Sequence, residues 1–333
     1  MTKARLLADL GNAYDDGSLS NRNMIINGAM RVAQRGTSTT GVNASGYYTV
    51  DRFQYTEGSS GGSGDLTMEQ STDAPDGFSH SAKYTVTTSD TLSGSENICL
   101  RYRLEAGDCQ SLKFGTSGNK FTISFWVKAS LTGLYSLQCY GSDQTRSALS
   151  SYIVNVANTW EYKTLTFNVD PTTAIAIGNG IGLAVLWMLD SGPDDIQSAF
   201  DWSTVSAFSA VTGQVNFMAT SGATWQITGV QLEVGDTATP FEHGKSYGEE
   251  LAKCQRYYYK SDLTRRATAA RNDRMDVTVS YPVQMRATPT VTDTSTVTFT
   301  VAYNSADATI HQYNGGISGS NRLITFTTAD AEL

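Results

Sequence analysis

Few residues here have the types and spacing needed for acid–base or nucleophilic chemistry. His80, His243 and His311 are the only histidines. None stands near a Ser or Cys in a nucleophile-elbow context, so no catalytic triad is expected. The carboxylate pairs Asp15-Asp16, Asp194-Asp195 and Glu249-Glu250 would serve glycoside hydrolysis only by facing each other across a substrate. Adjacent residues on a strand point to opposite faces, so these pairs read as solvated charges on turns or a helix surface. The phosphate-loop pattern GxxxxGK(S/T) is absent, and the glycines stand mostly singly in turns. Cys99, Cys109, Cys139 and Cys254 form no C-x-x-C pair, which predicts free, buried thiols, with a Cys99–Cys109 disulfide as the alternative. No catalytic residue, metal ligand or cofactor is expected.

Aromatic side chains are the remaining candidates. A sugar presents a flat C–H face ringed by hydroxyls, so a glycan site needs an exposed Trp or Tyr with Asp, Asn, Gln or Arg around it. Trp126, Trp160, Trp187, Trp202 and Trp225 are available, most of them expected in the core. Trp202, preceded by Asp201 in a loop-like stretch, is the first expected platform, and Tyr47 with Tyr48 the second. The competing reading of Trp202 is a large aromatic that caps the core. Asp51-Arg52, beside Phe53, reads as an ion pair or turn clamp ahead of a ligand contact.

The elements that must position these residues are mostly strands. Lys120–Lys128 alternates, with Phe121, Ile123, Phe125 and Val127 on one face and Thr122, Ser124 and Trp126 on the other, which predicts a core face and an exposed or half-covered one. Ile181–Leu189 is apolar on both faces and predicts a central strand covered on both sides. Trp160–Val169 and Thr224–Val234 are further strands. Between them lie turn residues at the spacing of a sandwich or jelly roll. Gly58–Gly64 reads as a solvated loop. Ser191–Trp202 reads as a Pro/Asp turn leading to a short helix over the sandwich edge.

Four segments follow. Residues 1–22 form an anchor and linker, in which Leu6, Leu7 and Leu10 line one side of a helix too short to be stable alone, and so one that docks on something else. Residues 23–242 form a jelly-roll β-sandwich, 243–256 a connector helix and 257–333 a smaller β domain with strands near Met275–Tyr281, Thr296–Tyr303 and Arg322–Thr328. The fold class is all-β. A net charge of -8 with 17% charged residues argues against nucleic acid, which needs clustered Lys and Arg. No apolar run reaches a membrane span, and the N-terminal residues do not read as a secretory signal.

Asn23-Met-Ile-Ile-Asn27-Gly28, Arg31-Val-Ala-Gln-Arg35-Gly36 and Tyr48-Thr-Val-Asp51-Arg52-Phe53 resemble the opening of a bacteriophage tail-fibre and virion structural family. Ile227-Thr-Gly229-Val-Gln-Leu-Glu233-Val-Gly235, Thr239-Pro-Phe241-Glu242 and Glu249–Tyr258 resemble that family's closing motif. More faintly, both ends are similar to jelly-roll carbohydrate-binding modules. In these the first and last strands meet, often around a structural calcium ion. Here Met30 and Arg31 stand where the module pattern would place a carboxylate, so Arg31 is expected to pair with Glu233 or Glu242 instead.

The resemblance implies a non-catalytic receptor-binding protein of the virion, typically a homotrimer, which binds bacterial surface polysaccharide and other phage virion proteins. Rival readings are a purely structural virion decoration or adaptor, a free carbohydrate-binding module, and a capsule depolymerase. The last usually shows β-helix repeats, which are not visible here.

Overall fold

In the computed structural model, residue 3 and residues 22–58, 64–141, 145–205, 207–243, 246–261, 264–267, 275–293, 300–313 and 322–333 are described. Leu6, Leu7, Leu10 and Asp15-Asp16 lie outside the described residues, as does most of the Gly58–Gly64 loop. Two compact units are present, Met1–Lys245 and Ser246–Leu333.

The first unit begins with β1 (Ser38–Val42), β2 (Phe53–Gly58), β3 (Asp65–Ser71), β4 (Ser81–Thr88), β5 (Asn97–Glu105), β6 (Lys120–Ala129) and β7 (Gly133–Gly141). It continues with β8 (Ser147–Val154), β9 (Glu161–Asn168), β10 (Ile181–Ser191), β11 (Ile196–Gln197), β12 (Phe200–Ser203), β13 (Ala210–Val211) and β14 (Thr224–Val234). Two antiparallel six-stranded sheets result, in the orders β1-β3-β4-β14-β6-β9 and β12-β8-β7-β10-β5-β2, here called the first and second sheets. The order interleaves early and late strands. A continuous core is therefore closed only when β14 inserts between β4 and β6.

The alternation in β6 does what its sequence predicts on the inner side. Phe121, Ile123, Phe125 and Val127 are all buried in the core with Leu183, Val185, Trp187 and Leu189 of β10. Trp187 stands edge-on to Phe125 at 5.8 Å between ring centroids. Such offset ring pairs add to the area each aromatic removes from water. On the far side of β10, Ala184, Leu186 and Met188 join Cys99, Tyr140 and Ala210 in a second cluster, packed by Ile196 and Phe208.

That second cover is the excursion 192–214. Among its described residues a single helical turn forms, at Pro193–Asp195, in place of the short edge helix expected. Polar side chains of β7 hold the excursion down. Gln138 Nε2 donates to Ala207 O at 3.1 Å, Ser209 N donates to Gln138 Oε1 at 2.8 Å, and Val211 N donates to Ser136 Oγ at 2.7 Å. Their burial is tolerable because each is hydrogen-bonded.

The opening and closing motifs meet. Met24 N donates to Leu232 O and Val230 N donates to Gly28 O, while the Asn23 side chain bonds both Val230 O and Leu232 N. A Cβ on Gly28 would sit 2.1 Å from Val230 O, so the close approach requires glycine. Asn27 ties Val32 to Asp51 O. Asp51 accepts from Gln34 and forms an ion pair with Arg35 at 3.7 Å, and the buried Arg52 donates to Arg103 O at 2.7 Å. Asp51-Arg52 is a turn clamp. Glu233 pairs with Arg22 at 3.8 Å and accepts from Thr239, not from Arg31 as one expectation had it.

All four cysteines are buried and free. Cys99 faces the outer cluster and Cys109 the main core, so the disulfide considered for them does not form. Burial pushes both thiols up to about 12, which leaves them unreactive.

In the second unit, α1 (Tyr247–Gln255) is capped by Ser246 Oγ, which accepts from Glu249 N. The helix expected as a connector thus clusters with the residues that follow it. The unit's strands are β15 (Tyr258–Lys260), β16 (Thr264–Ala267), β17 (Met275–Ser280), β18 (Thr290–Asp293), β19 (Thr300–Asn304), β20 (Ala308–Tyr313) and β21 (Arg322–Asp330). They form a sheet centred on β21 and a three-stranded β17-β20-β19 sheet. Tyr281, Met285, Ala329 and Ala331 are buried together.

Candidate functional site

Outward-facing residues of the first sheet fall into rows set by strand register. Tyr162 of β9, Trp126 of β6 and Thr228 of β14 are direct neighbours across three strands. One row further along, Lys128, Gln226, Lys83 and Glu69 cross β6, β14, β4 and β3. At the opposite end, Thr122, Ser124 and Gln231 are buried, because the segment after β14 folds back over them. Thr122 Oγ1 donates to Gly235 O at 2.9 Å, and Glu242 N donates to Gln231 Oε1 at 2.8 Å. The half-covered outer face expected for β6 is thus closed at one end and open at the Trp126 end.

The open end carries an aromatic strip. Trp126 and Tyr162 have ring centroids 5.4 Å apart at an interplanar angle of 52°, and Tyr162 is 43% exposed. On the other side of Trp126, the ladder of β14 is irregular between Thr228 and Gln231. Gly229 there has φ +62°, and a Cβ on it would lie 2.7 Å from Phe78 and 3.1 Å from Trp126. Only glycine at this bulge lets Phe78 lie over the backbone beside Trp126. Phe78 in turn contacts Phe241 and His243, each at 5.0 Å.

Beside the strip stands a polar hub. Asp73 accepts from Lys128 Nζ at 2.6 Å, Trp160 Nε1 at 3.2 Å and Gln226 Nε2 at 3.3 Å. Burial raises the Asp73 carboxyl, but these donors outweigh it and hold the group below the usual carboxylate range. Lys128 also lies 5.9 Å from the centroid of the Trp160 ring, a cation–π distance. Apolar rings flanked by fixed donors and acceptors are the chemistry a sugar face needs. Burial and then the Arg31 charge lower the His80 imidazole, near this face, from its ordinary range. Its Nδ1 lies 2.8 Å from Ser79 Oγ, with no third member to make a relay among the described contacts.

The residues singled out from the sequence fall elsewhere. Trp202 is 9% exposed and belongs to the core. Its ring stands edge-on to Phe114 at 5.3 Å, and its Nε1 donates to Asn168 O at 2.6 Å. It caps the core at edge strand β12 and offers no open platform. Asp201 is exposed but engaged, accepting from Asn168 Nδ2 at 2.7 Å. Tyr48 is half-buried against the core, and its hydroxyl donates to Ala44 O at 2.7 Å. Tyr47 lies under Arg35, whose Cζ is 5.0 Å from the ring centroid. These four residues belong to the second sheet's edges, away from Trp126. Asp195 is buried, not solvated, while Asp194 beside it is exposed.

Tyr162, Phe78, Asp73, Gln226 and Lys128 were not anticipated. The signal for Tyr162 was available, since the alternation in β9 places it opposite Leu165 and Phe167. For Asp73 and Phe78, which lie in the β3–β4 connection, there was none.

A separate cavity of about 250 Å³ opens at the end of β10, lined by Thr91, Leu92, Asp190, Ser191, Ile196 and Gln214. Burial pushes the Asp190 carboxyl up to about 6, although Met218 N and Ser191 N both donate to it. Among the described residues no group of three or more His, Cys, Asp or Glu is placed to hold a metal ion.

No protein-family model and no curated protein sequence matches this chain. Among solved structures, it is similar to the enzymatically active domain of bacteriophage CBA120 tailspike protein 4, with 16% identity and a TM-score of 0.32 over 64% of this chain and 21% of that one. It is similar also to a family 11 carbohydrate-binding module from Clostridium thermocellum in complex with a β-1,3-1,4-mixed-linked tetrasaccharide, with 8% identity and a TM-score of 0.30, over 62% of this chain and 98% of that one. TmCBM61 in complex with β-1,4-galactotriose matches at 9% identity and a TM-score of 0.29, over 65% of this chain and all of that one (100%).

Proposed function

We propose that the first unit is a non-catalytic glycan-binding domain whose site is the open end of the first sheet, and that the protein serves as a virion attachment protein for bacterial surface polysaccharide. The observation that carries the glycan reading is the Trp126–Tyr162 pair, presented outward on rigid strands beside the Asp73–Lys128–Gln226 hub. Strand-borne rings lose little freedom on binding, so their stacking energy is not spent on ordering the site. The attachment reading adds the resemblance of the opening and closing motifs to virion structural proteins. It also expects assembly as a homotrimer with other virion proteins, in which weak single-site sugar binding is multiplied by valency.

The test is binding of the full chain to an array of bacterial surface polysaccharides, together with Trp126→Ala and Tyr162→Ala. Each variant is expected to lose at least about tenfold in apparent affinity, in line with the loss of an aromatic contact, while its melting temperature stays near that of the parent. Undiminished binding by both variants would remove the first sheet as the site. Light scattering of the full chain reads the trimer. A monomer that binds glycan would leave the module and remove the self-assembling fibre.

A further inference from the structure

On the outer side of β10, Ala210 is buried with Leu186 and Met188 beneath Ile196 and Phe208, and Phe208 is half-buried at the margin. At that margin the cross-strand row continues outward from Leu186 of β10 to Arg101 of β5 and Gln54 of β2. An isolated bridge pairs Gly46 with Tyr55, which brings the Tyr47 segment alongside β2 at the same edge. Arg101 is half-buried. Its Nε and Nη2 donate to Gln54 Oε1 at 3.1 and 2.7 Å, and its guanidinium lies 5.7 Å from the centroid of the Phe208 ring.

Both hydrogen bonds of Arg101 thus go to one neutral oxygen, and among the described residues no carboxylate is paired with it. A guanidinium has five N–H donors in a fixed plane. Gln54 takes those at Nε and one at Nη2, leaving the end-on edge, one donor each of Nη1 and Nη2, outside these bonds. That edge is the one a carboxylate grips with two parallel bonds. Gln54 fixes the plane, Phe208 supports its face, and desolvation followed by the nearby Arg103 charge disfavours the bare cation. The charge of an incoming anion would offset both. In a chain of net charge -8, a preorientated arginine without an acidic partner is not a solubility feature.

We infer that Arg101, held by Gln54 and flanked by Phe208 and the Tyr47 edge, is a carboxylate-recognition site for an acidic glycan, one bearing uronate-type sugars. It lies on the opposite sheet from Trp126 and does not depend on the glycan reading of that face. Tyr47, whose ring lies under Arg35, borders the same edge.

The test is affinity electrophoresis of the full chain through gels containing polygalacturonate, alginate or hyaluronan, each run beside its carboxyl-reduced neutral form. The parent is expected to be retarded by at least one acidic polymer and not by its reduced form. Arg101→Gln should weaken that retardation at least about tenfold, the scale of a lost charge-assisted bond. Arg101→Lys keeps the charge without the fork and should fall between. Retardation by the acidic polymers is read beside binding of the parent to neutral polysaccharides, which separates failure here from failure of the first-sheet site. Absence of retardation by all three polymers, equal retardation by reduced forms, or parent-like behaviour of both Arg101 variants would overturn the inference. Thermal unfolding of each variant guards against loss of fold, and Arg101→Lys decides the matter should Arg101→Gln not fold.

Discussion

The two sheets of the first unit have the same number of strands and opposite outer faces. On the second sheet the chain returns over β10 and buries Leu186 and Met188, so that face is a second small core. On the first sheet the return after β14 covers Thr122, Ser124 and Gln231, and leaves Tyr162 exposed and Trp126 half-buried at the other end. A sandwich can thus bind ligand on an outer face only where its own connections do not reach. The difference lies in the length of the connections. The excursion after β10 spans 192–214, long enough to cross a sheet, whereas the segment after β14 turns back within a few residues.

The largest effect that would break this comparison is at β10. Leu186→Ala, on the outer side of the second sheet, should destabilise the fold by about 2–5 kcal/mol, like a substitution in a main core. Tyr162→Ala, on the outer side of the first sheet, should cost less than about 1 kcal/mol. Urea unfolding of both variants checks it, and equal costs would mean that the two outer faces are not different.

Asp190 gives a prediction in pH. Burial raises its carboxyl in the folded state to about 6, from an ordinary 3.8. The folded state therefore holds the proton more tightly than the unfolded one, and the stability this contributes is present below about pH 4 and lost as pH rises through about 6. The decline should amount to roughly 2–3 kcal/mol. Asp190→Asn should flatten that slope even as it lowers stability by disturbing the bonds from Met218 N and Ser191 N. A slope unchanged in the variant would assign the pH dependence to other groups.

Gly229→Ala should cost about 1–3 kcal/mol, because φ is positive there and the new methyl meets Phe78. It should also weaken glycan binding, since Phe78 must move from Trp126. Melting temperature and titration against a binding polysaccharide read the two effects separately. The smallest effect is expected from Asp73→Asn. An exposed ion pair with Lys128 contributes at most about 1 kcal/mol, so stability should barely change. Binding is expected to suffer more than stability, as Trp160 and Lys128 lose the group that positions them.

Much of the fold was legible because strand periodicity is local. The alternation of β6 and the doubly apolar β10 announce their surroundings in a few residues, and Gly28 with Asn23 marks where the first and last segments close. The site was legible only in part. Trp126 could be placed off the core face by counting along β6, but its partner Tyr162 is set by the register of β9. Trp202 misled because a tryptophan next to an aspartate in a turn-rich stretch looks exposed until Phe114 and Asn168 O are brought to it.

The sequence alone determined which residues alternate and where the backbone must approach without a side chain. Tertiary structure alone decided which outer face stays open. It also set Arg101 against Gln54 and Phe208 instead of against a carboxylate. The physical reason is that side-chain direction follows from the pleat, a property of neighbours in the chain. Exposure depends on which distant connection crosses a strand, a property of topology.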